Sequence, residues 1–212
     1  MNGTRALAAI AFVACGAATM GAQSTPRRVV VNGVDLTGIG QDRGRADAPV
    51  VLVELSDFGC PYCGVYARET LPAIEREYVA TGRVFYKHVA FVAGSFANSR
   101  PAARAAECAG EQGRFWAMHD SLYARQREWQ RRLSPFETLA GYAARLGLDV
   151  GRFRGCYVQH EPLHPRTRLA TDRADRLGVR VTPSFLLDGR PLAGALPLAE
   201  FRRHIEEALR RR

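Results

Sequence analysis

The sequence predicts an α/β fold: a β-α-β unit and a later α-β-β-α unit, held apart along the chain by a helical insert. Three observations carry that prediction. Residues 50–55, Val-Val-Leu-Val-Glu-Leu, form a nearly continuous β-branched run, the pattern of a strand covered on both faces. Helical periodicity follows in Val65, Leu71, Ile74 and Tyr78, and a second apolar run occupies residues 84–91. Strand, helix and strand in that order require a parallel pair with a right-handed crossover. Between residues 96 and 162 the apolar residues recur only at helical spacing, punctuated by Gly110, Gly113 and Gly147.

Taken in order, residues 1–22 read as an export signal. Arg5 is their only charge, and residues 6–13 are a short apolar core followed by small residues. That core is too short to span a bilayer. Two readings stay open: cleavage after Ala18 or Ala22, or a lipoprotein signal over residues 12–16 that leaves Cys15 lipidated. Residues 23–49 are a polar N-terminal extension with an Asn32-Gly33 hairpin turn, and residues 38–49 read as a loop. Residues 50–95 hold the β-α-β unit, in which Pro72 is expected to kink the helix by removing a donor. Residues 96–162 are the insert. In residues 163–212, Pro165 opens a helix with Leu169, Ala170, Ala174 and Leu177 on one face, closed by Gly178. Thr182-Pro183 leads into a strand at residues 184–187, an Asp188-Gly189 turn and a returning strand. Leu198, Phe201, Ile205 and Leu209 make the last helix amphipathic.

The 212 residues are 47% hydrophobic, enough for a core that does not depend on disulfides. The net charge of +9 is almost all arginine, Lys87 being the only lysine. The arginines are scattered through every segment, and the run at residues 127–132 reads as a solvated face. No nucleic-acid surface is expected, since that would gather the cations into a stripe interleaved with aromatics.

There are five cysteines, Cys15, Cys60, Cys63, Cys108 and Cys156. With Cys15 in the signal, the rest are even in number, which in an exported chain points to disulfides. Cys60-Pro61-Tyr62-Cys63 stands where a strand gives way to a helix, the sequence form of a dithiol/disulfide redox centre. Unpaired N–H groups and the helix dipole favour a thiolate at Cys60, Pro61 fits the first helical position, and Cys63 is the resolving thiol, one turn deeper. The rivals are a structural disulfide and a zinc half-site, but zinc would want a second ligand pair at similar spacing, and Cys108 and Cys156 lie far apart. We expect those two to form a structural disulfide rather than remain two buried thiols. His160 and His164 have ligand-like spacing, but Pro162 breaks the helical face between them, so a loop is expected and no metal site is assigned. His119, Phe115, Trp116 and Tyr123 read as packing within the insert.

The order of elements is that of a thioredoxin fold split by inserted helices. Glu54-Leu-Ser-Asp-Phe-Gly-Cys60-Pro-Tyr-Cys63, Glu107-Cys108-Ala109, the stretch from Gly113 to Leu122, and Gly178-Val-Arg-Val-Thr182-Pro183-Ser-Phe185 resemble the DsbA-like branch of the thioredoxin superfamily. The resemblance runs from about residue 30 to the C-terminus. It implies a protein-disulfide oxidoreductase working through a mixed disulfide on Cys60, with no cofactor. It implies a cis Pro183 facing the redox pair, and Thr182, with Pro61 and Tyr62, receiving an extended substrate. Glu54, six residues before Cys60, stands where members of the superfamily carry a buried acid. There, its pKa raised by burial, it would take the proton from Cys63 as that thiol attacks the mixed disulfide, rather than reach solvent from a strand end.

The partners so implied are reduced or misoxidised exported proteins, in the periplasm or otherwise outside the cytoplasm. A membrane quinone-linked protein would recharge an oxidase, and the membrane would be touched directly only through a lipidated Cys15. Strongly oxidising members carry Pro-His between the cysteines. Tyr62 replaces that histidine here, so a dedicated disulfide reductase stays open as the alternative direction, and a redox-inert polypeptide-binding module as the alternative class. Residues 23–49 are too short for the dimerisation domain of isomerase members, so a monomer is expected.

Overall fold

The computed structural model describes residues 26–92, 94–192 and 194–212. The export signal and Cys15 lie outside the described residues. Asn32 and Gly33, both at positive φ, close a two-residue turn between β1 (Val30–Val31) and β2 (Val34–Asp35). The expected loop at residues 38–49 instead contains a strand, β3 (Gln41–Arg43). Its three polar residues have no alternation from which a strand could be read. Backbone pairing holds it, together with the buried Lys87, whose Nζ lies 2.8 Å from Ile39 O and 2.5 Å from Asp42 Oδ1.

The apolar run at residues 50–55 becomes β4 (Val50–Ser56), the centre of a five-stranded sheet. It runs parallel to β5 (Val84–Ala90) and antiparallel to β6 (Ser184–Leu187), with β7 (Arg190–Leu192) outside β6 and β3 outside β5. The Asp188-Gly189 turn, again at positive φ, sets the β6–β7 register. Between β4 and β5 the helix runs through α1 (Pro61–Val65), a π-helical turn Tyr66–Thr70, α2 (Leu71–Ile74) and a second π turn Glu75–Val79. Around Pro72, where a kink is expected, the helix has widened turns flanking the proline's own segment.

One face of the sheet packs Leu52, Tyr86 and Phe185 against α2 and against Phe201 and Ile205 of α9 (Leu198–Arg210). The other packs Val53, Leu55, Phe85 and Val89 against the β1–β2 hairpin and α8 (Pro165–Arg176). Ala170 and Ala174 face that core as expected, whereas Leu169 is 45% exposed. Helices α3 (Ser99–Gly110), α4 (Phe115–Ala124), α5 (Gln126–Gln130), α6 (Phe136–Arg145) and α7 (Val150–Gln159) occupy the chain between β5 and α8. Their core, rich in the alanines of α3, also takes in Phe58, Cys60 and Cys63. The Cys-x-x-Cys segment is thus packed by the inserted helices as well as by the sheet. Among the described residues no helix is long and apolar enough to cross a membrane.

Candidate active site

β4 ends at Ser56, whose hydroxyl hydrogen-bonds Tyr123 at 2.9 Å, and the chain turns through Asp57-Phe58-Gly59 into α1. This turn is held from several directions. Asp57 Oδ1 accepts from Gly59 N–H at 2.7 Å and from the Ser99 hydroxyl at 2.5 Å. From α5, Gln126 Nε2 donates to Phe58 O at 2.6 Å and Cys60 O at 2.8 Å, and Gln130 Nε2 donates to Gly59 O at 2.5 Å. Gly59 has no substitute here, because a Cβ would collide with Ser99 Oγ and Phe96. Gln126 and Gln130 were not legible as site residues; their only signal is two amides flanking the buried Trp129 on a short helix.

Cys60 is the N-cap of α1, in extended conformation, and Pro61 stands in the first turn, where its missing donor costs nothing. The Cys60 thiol is held down to about 6 from an ordinary 9.0. A hydrogen bond from Cys63 contributes most, and the Thr182 side chain and the N–H groups of Cys63 and Tyr62 add to it against burial. Burial, and then the bond it gives to Cys60, push the Cys63 thiol far above its ordinary range. The two sulfurs are therefore poised oppositely: one as thiolate, the other as proton holder.

Thr182-Pro183 is a cis peptide bond, and the Cys60 thiol approaches Thr182 O at 3.2 Å. Glu54 is fully buried on β4 and accepts a hydrogen bond from Tyr86 OH; among the described residues its Oε1 has no hydrogen-bond partner. Burial raises the carboxyl to about 7, against hydrogen bonds from Tyr86 and Ser56, and the charge on Cys60 adds to the rise. Cys60, Cys63, Glu54, Thr182 and Pro183 are thus brought to one end of β4. A groove of about 420 Å³ opens beside Cys60, walled by Pro61, Tyr62, Phe91, Phe96, Val181 and Thr182. Cys60 is only 1% exposed, so a partner sulfur must enter along this groove, whose rim carries Tyr62 (69% exposed) and Val181 (67% exposed).

Cys108 and Cys156 are joined in a disulfide between α3 and α7, 48 residues apart in sequence and with Cα atoms 5.8 Å apart, whereas Cys60 and Cys63 are free. His119 is buried, with Nδ1 2.8 Å from Asp120 and its ring edge-on to His88 at 5.0 Å. His88, on β5 beside Glu54 in the sheet register, is buried with no hydrogen-bond partner among the described residues, and burial keeps it neutral. Nothing in the apolar run at residues 84–91 announces it. Residues 127–132 are a solvated face only in part, since Trp129 is buried and donates to Leu122 O. His160 and His164 meet at the α7–α8 junction.

The family profile described as thioredoxin matches residues 37–207. The chain is similar to Na(+)/H(+) antiporter NhaA 1 of Salinispora arenicola, 42% identical over 153 residues, covering 70% of this chain but only 21% of that protein. It therefore spans about a fifth of the length of that relative. It is 29% identical to the "Probable disulfide bond formation protein D" of Bacillus anthracis, over 70% of each chain. Among solved structures, oxidised BdbD from Bacillus subtilis superposes with a TM-score of 0.72 at 22% identity, covering 81% of this chain and 97% of that one. Wolbachia pipientis alpha-DsbA1 gives 0.71 at 21% identity, covering 80% and 90%. The profile match covers both halves of the split sheet and the helices between them: the chain belongs to the thioredoxin family, with the fold of its DsbA-like members.

Proposed function

We propose that the protein is an exported thiol–disulfide oxidoreductase that oxidises or exchanges cysteines of extracytoplasmic proteins through a mixed disulfide on Cys60. The observation that carries this reading is the opposite poise of the two sulfurs, with Cys60 held at about 6 beside an open groove and Cys63 buried beside Glu54. A substrate thiolate attacks Cys60 Sγ of the disulfide form, and the Cys60–Cys63 bond breaks. The electron pair leaves on Cys63, whose buried thiolate is costly, and protonated Glu54 supplies the proton. A second substrate thiolate then attacks the substrate sulfur of the mixed disulfide and expels Cys60, a good leaving group because its thiolate is stable. The substrate loses two electrons and the enzyme becomes a dithiol. In reverse, Glu54 takes the proton of Cys63 as that thiol resolves the mixed disulfide.

The groove supplies an apolar wall for an extended chain, and Thr182 supplies backbone groups at its inner end. Recharging the dithiol takes two electrons away, for which we propose a membrane quinone-linked partner. The signal-like residues 1–22 support export, and cell fractionation tests it. The direction of reaction is tested by equilibration in glutathione buffers with trapping of Cys60. A potential near about −120 mV supports oxidation, and one near about −270 mV would make the protein a reductant.

A further inference from the structure

Two histidines converge on one carboxylate at the α7–α8 junction. His160 directly follows α7, and His164 is the N-cap of α8. Glu111, the residue after α3, places Oε1 3.1 Å from His164 Nε2 and 3.7 Å from His160 Nε2. The two rings stand 4.4 Å apart between centroids. Cys156, four residues before His160, completes the group. One ligand atom from each of Glu111, Cys156, His160 and His164 lies within 4.8 Å of all the others.

Around an ion bound at ~2.0–2.3 Å, tetrahedral ligand atoms stand about 3.3–3.8 Å apart, so small side-chain rotations close the remaining gap. Sulfur, two imidazoles and one carboxylate suit zinc and its neighbours, not magnesium or calcium. Glu111 is 45% exposed and His160 20%, which leaves an entry path. Two neighbouring arginines already face acids: Arg166 Nε lies 3.3 Å from Glu107 and Arg104 Nη1 3.8 Å from Glu161.

We propose that Glu111, His160 and His164 hold a zinc-class divalent ion, and that Cys156 becomes its fourth ligand when the Cys108–Cys156 disulfide is reduced. In the oxidised chain the Cys156 sulfur is committed to Cys108. A thiol reductant delivers two electrons and two protons, becomes a disulfide itself, and leaves Cys108 and Cys156 as thiols. The ion then displaces the Cys156 proton, which passes to solvent. His164 Nδ1 accepts from Arg166 N–H at 3.2 Å. When the ion takes Nε2, the ring proton moves to Nδ1 and that cap is given up. Metal affinity is thereby tied to the oxidation state of a disulfide outside the Cys60–Cys63 pair.

The test uses Co2+ as a spectroscopic probe, in a C15S/C60S/C63S variant that keeps only Cys108 and Cys156. Before reduction we expect Co2+ binding with ligand-field bands and no sulfur charge-transfer band. After reduction, affinity rises about tenfold or more and a thiolate-to-cobalt band appears. His160→Ala, which keeps the backbone N–H that caps α7, lowers Co2+ affinity by about tenfold or more in both states. Adding Cys108→Ser to the variant gives the sulfur band without reductant, and adding Cys156→Ser removes it. No sulfur band on reduction, or Co2+ affinity unchanged by His160→Ala, overturns the proposal and leaves an adventitious ion only.

Discussion

The two cysteine pairs are chemically identical and physically opposite. Cys108 and Cys156 meet across α3 and α7 inside a tightly packed helical core. Neither cysteine stands at a helix N-terminus, Cys156 lying in the interior of α7 and Cys108 in the last turn of α3. Cys60 and Cys63 share that core at its margin, but Cys60 sits where a helix starts, with N–H groups, a threonine side chain and a second thiol turned toward its sulfur. Burial alone therefore does not separate an inert cysteine from a reactive one. The difference lies in which groups stabilise the thiolate and in the groove that brings another sulfur to it.

The two pairs differ most at Cys60. Cys60→Ser should abolish oxidation of reduced ribonuclease, while a C108S/C156S double variant retains it; equal loss in both would erase the distinction. Next in size is Glu54→Gln: when the dithiol enzyme reduces a substrate disulfide, it should slow resolution of the mixed disulfide by Cys63 by about 10²-fold in stopped-flow traces while leaving attack by Cys60 nearly intact. An unchanged resolution rate would remove Glu54 from the mechanism. The same variant carries a stability signature. The folded Glu54 carboxyl titrates at about 7, above its ordinary 4.5. Its contribution to stability is full below the ordinary value and falls as pH rises through about 7. Glu54→Gln should therefore flatten the decline in urea midpoint between about pH 4.5 and about pH 7.

For the second pair the effect is thermodynamic. The C108S/C156S variant should lose about 3–4 kcal/mol in denaturant titrations, as expected for opening a long loop. A stability within error of the wild type would mean that the disulfide constrains little. Smallest is Gln126→Ala, which leaves the carbonyls of Phe58 and Cys60 without their α5 donor. It should cost about 1–3 kcal/mol and raise the Cys60 pKa slightly, both readable from one set of unfolding and alkylation curves.

How far the site could be read from sequence follows from how local its signals are. Strand, Cys-Pro-Tyr-Cys and helix adjoin in sequence, and the two positive-φ turns announce themselves as Asn-Gly and Asp-Gly. Glu54 was conspicuous because a carboxylate interrupts an apolar run. Thr182-Pro183 needed the family resemblance, since a Thr-Pro dipeptide carries no mark of its isomer. The rest was not local. Gln126 and Gln130 act through amides that look like any surface glutamine. β3 is held by pairing rather than by its own residues, and His88 is visible only once Glu54 is its neighbour on the next strand.

The central claim is that Cys60 is a thiolate near neutral pH because of where the fold puts it. The most direct test is the pH dependence of iodoacetamide alkylation of Cys60 in the reduced protein, read by mass spectrometry of the labelled peptide. The expected midpoint is about 6, with Cys63 unlabelled across the titration. A midpoint near 9.0, the value of an ordinary thiol, would contradict it.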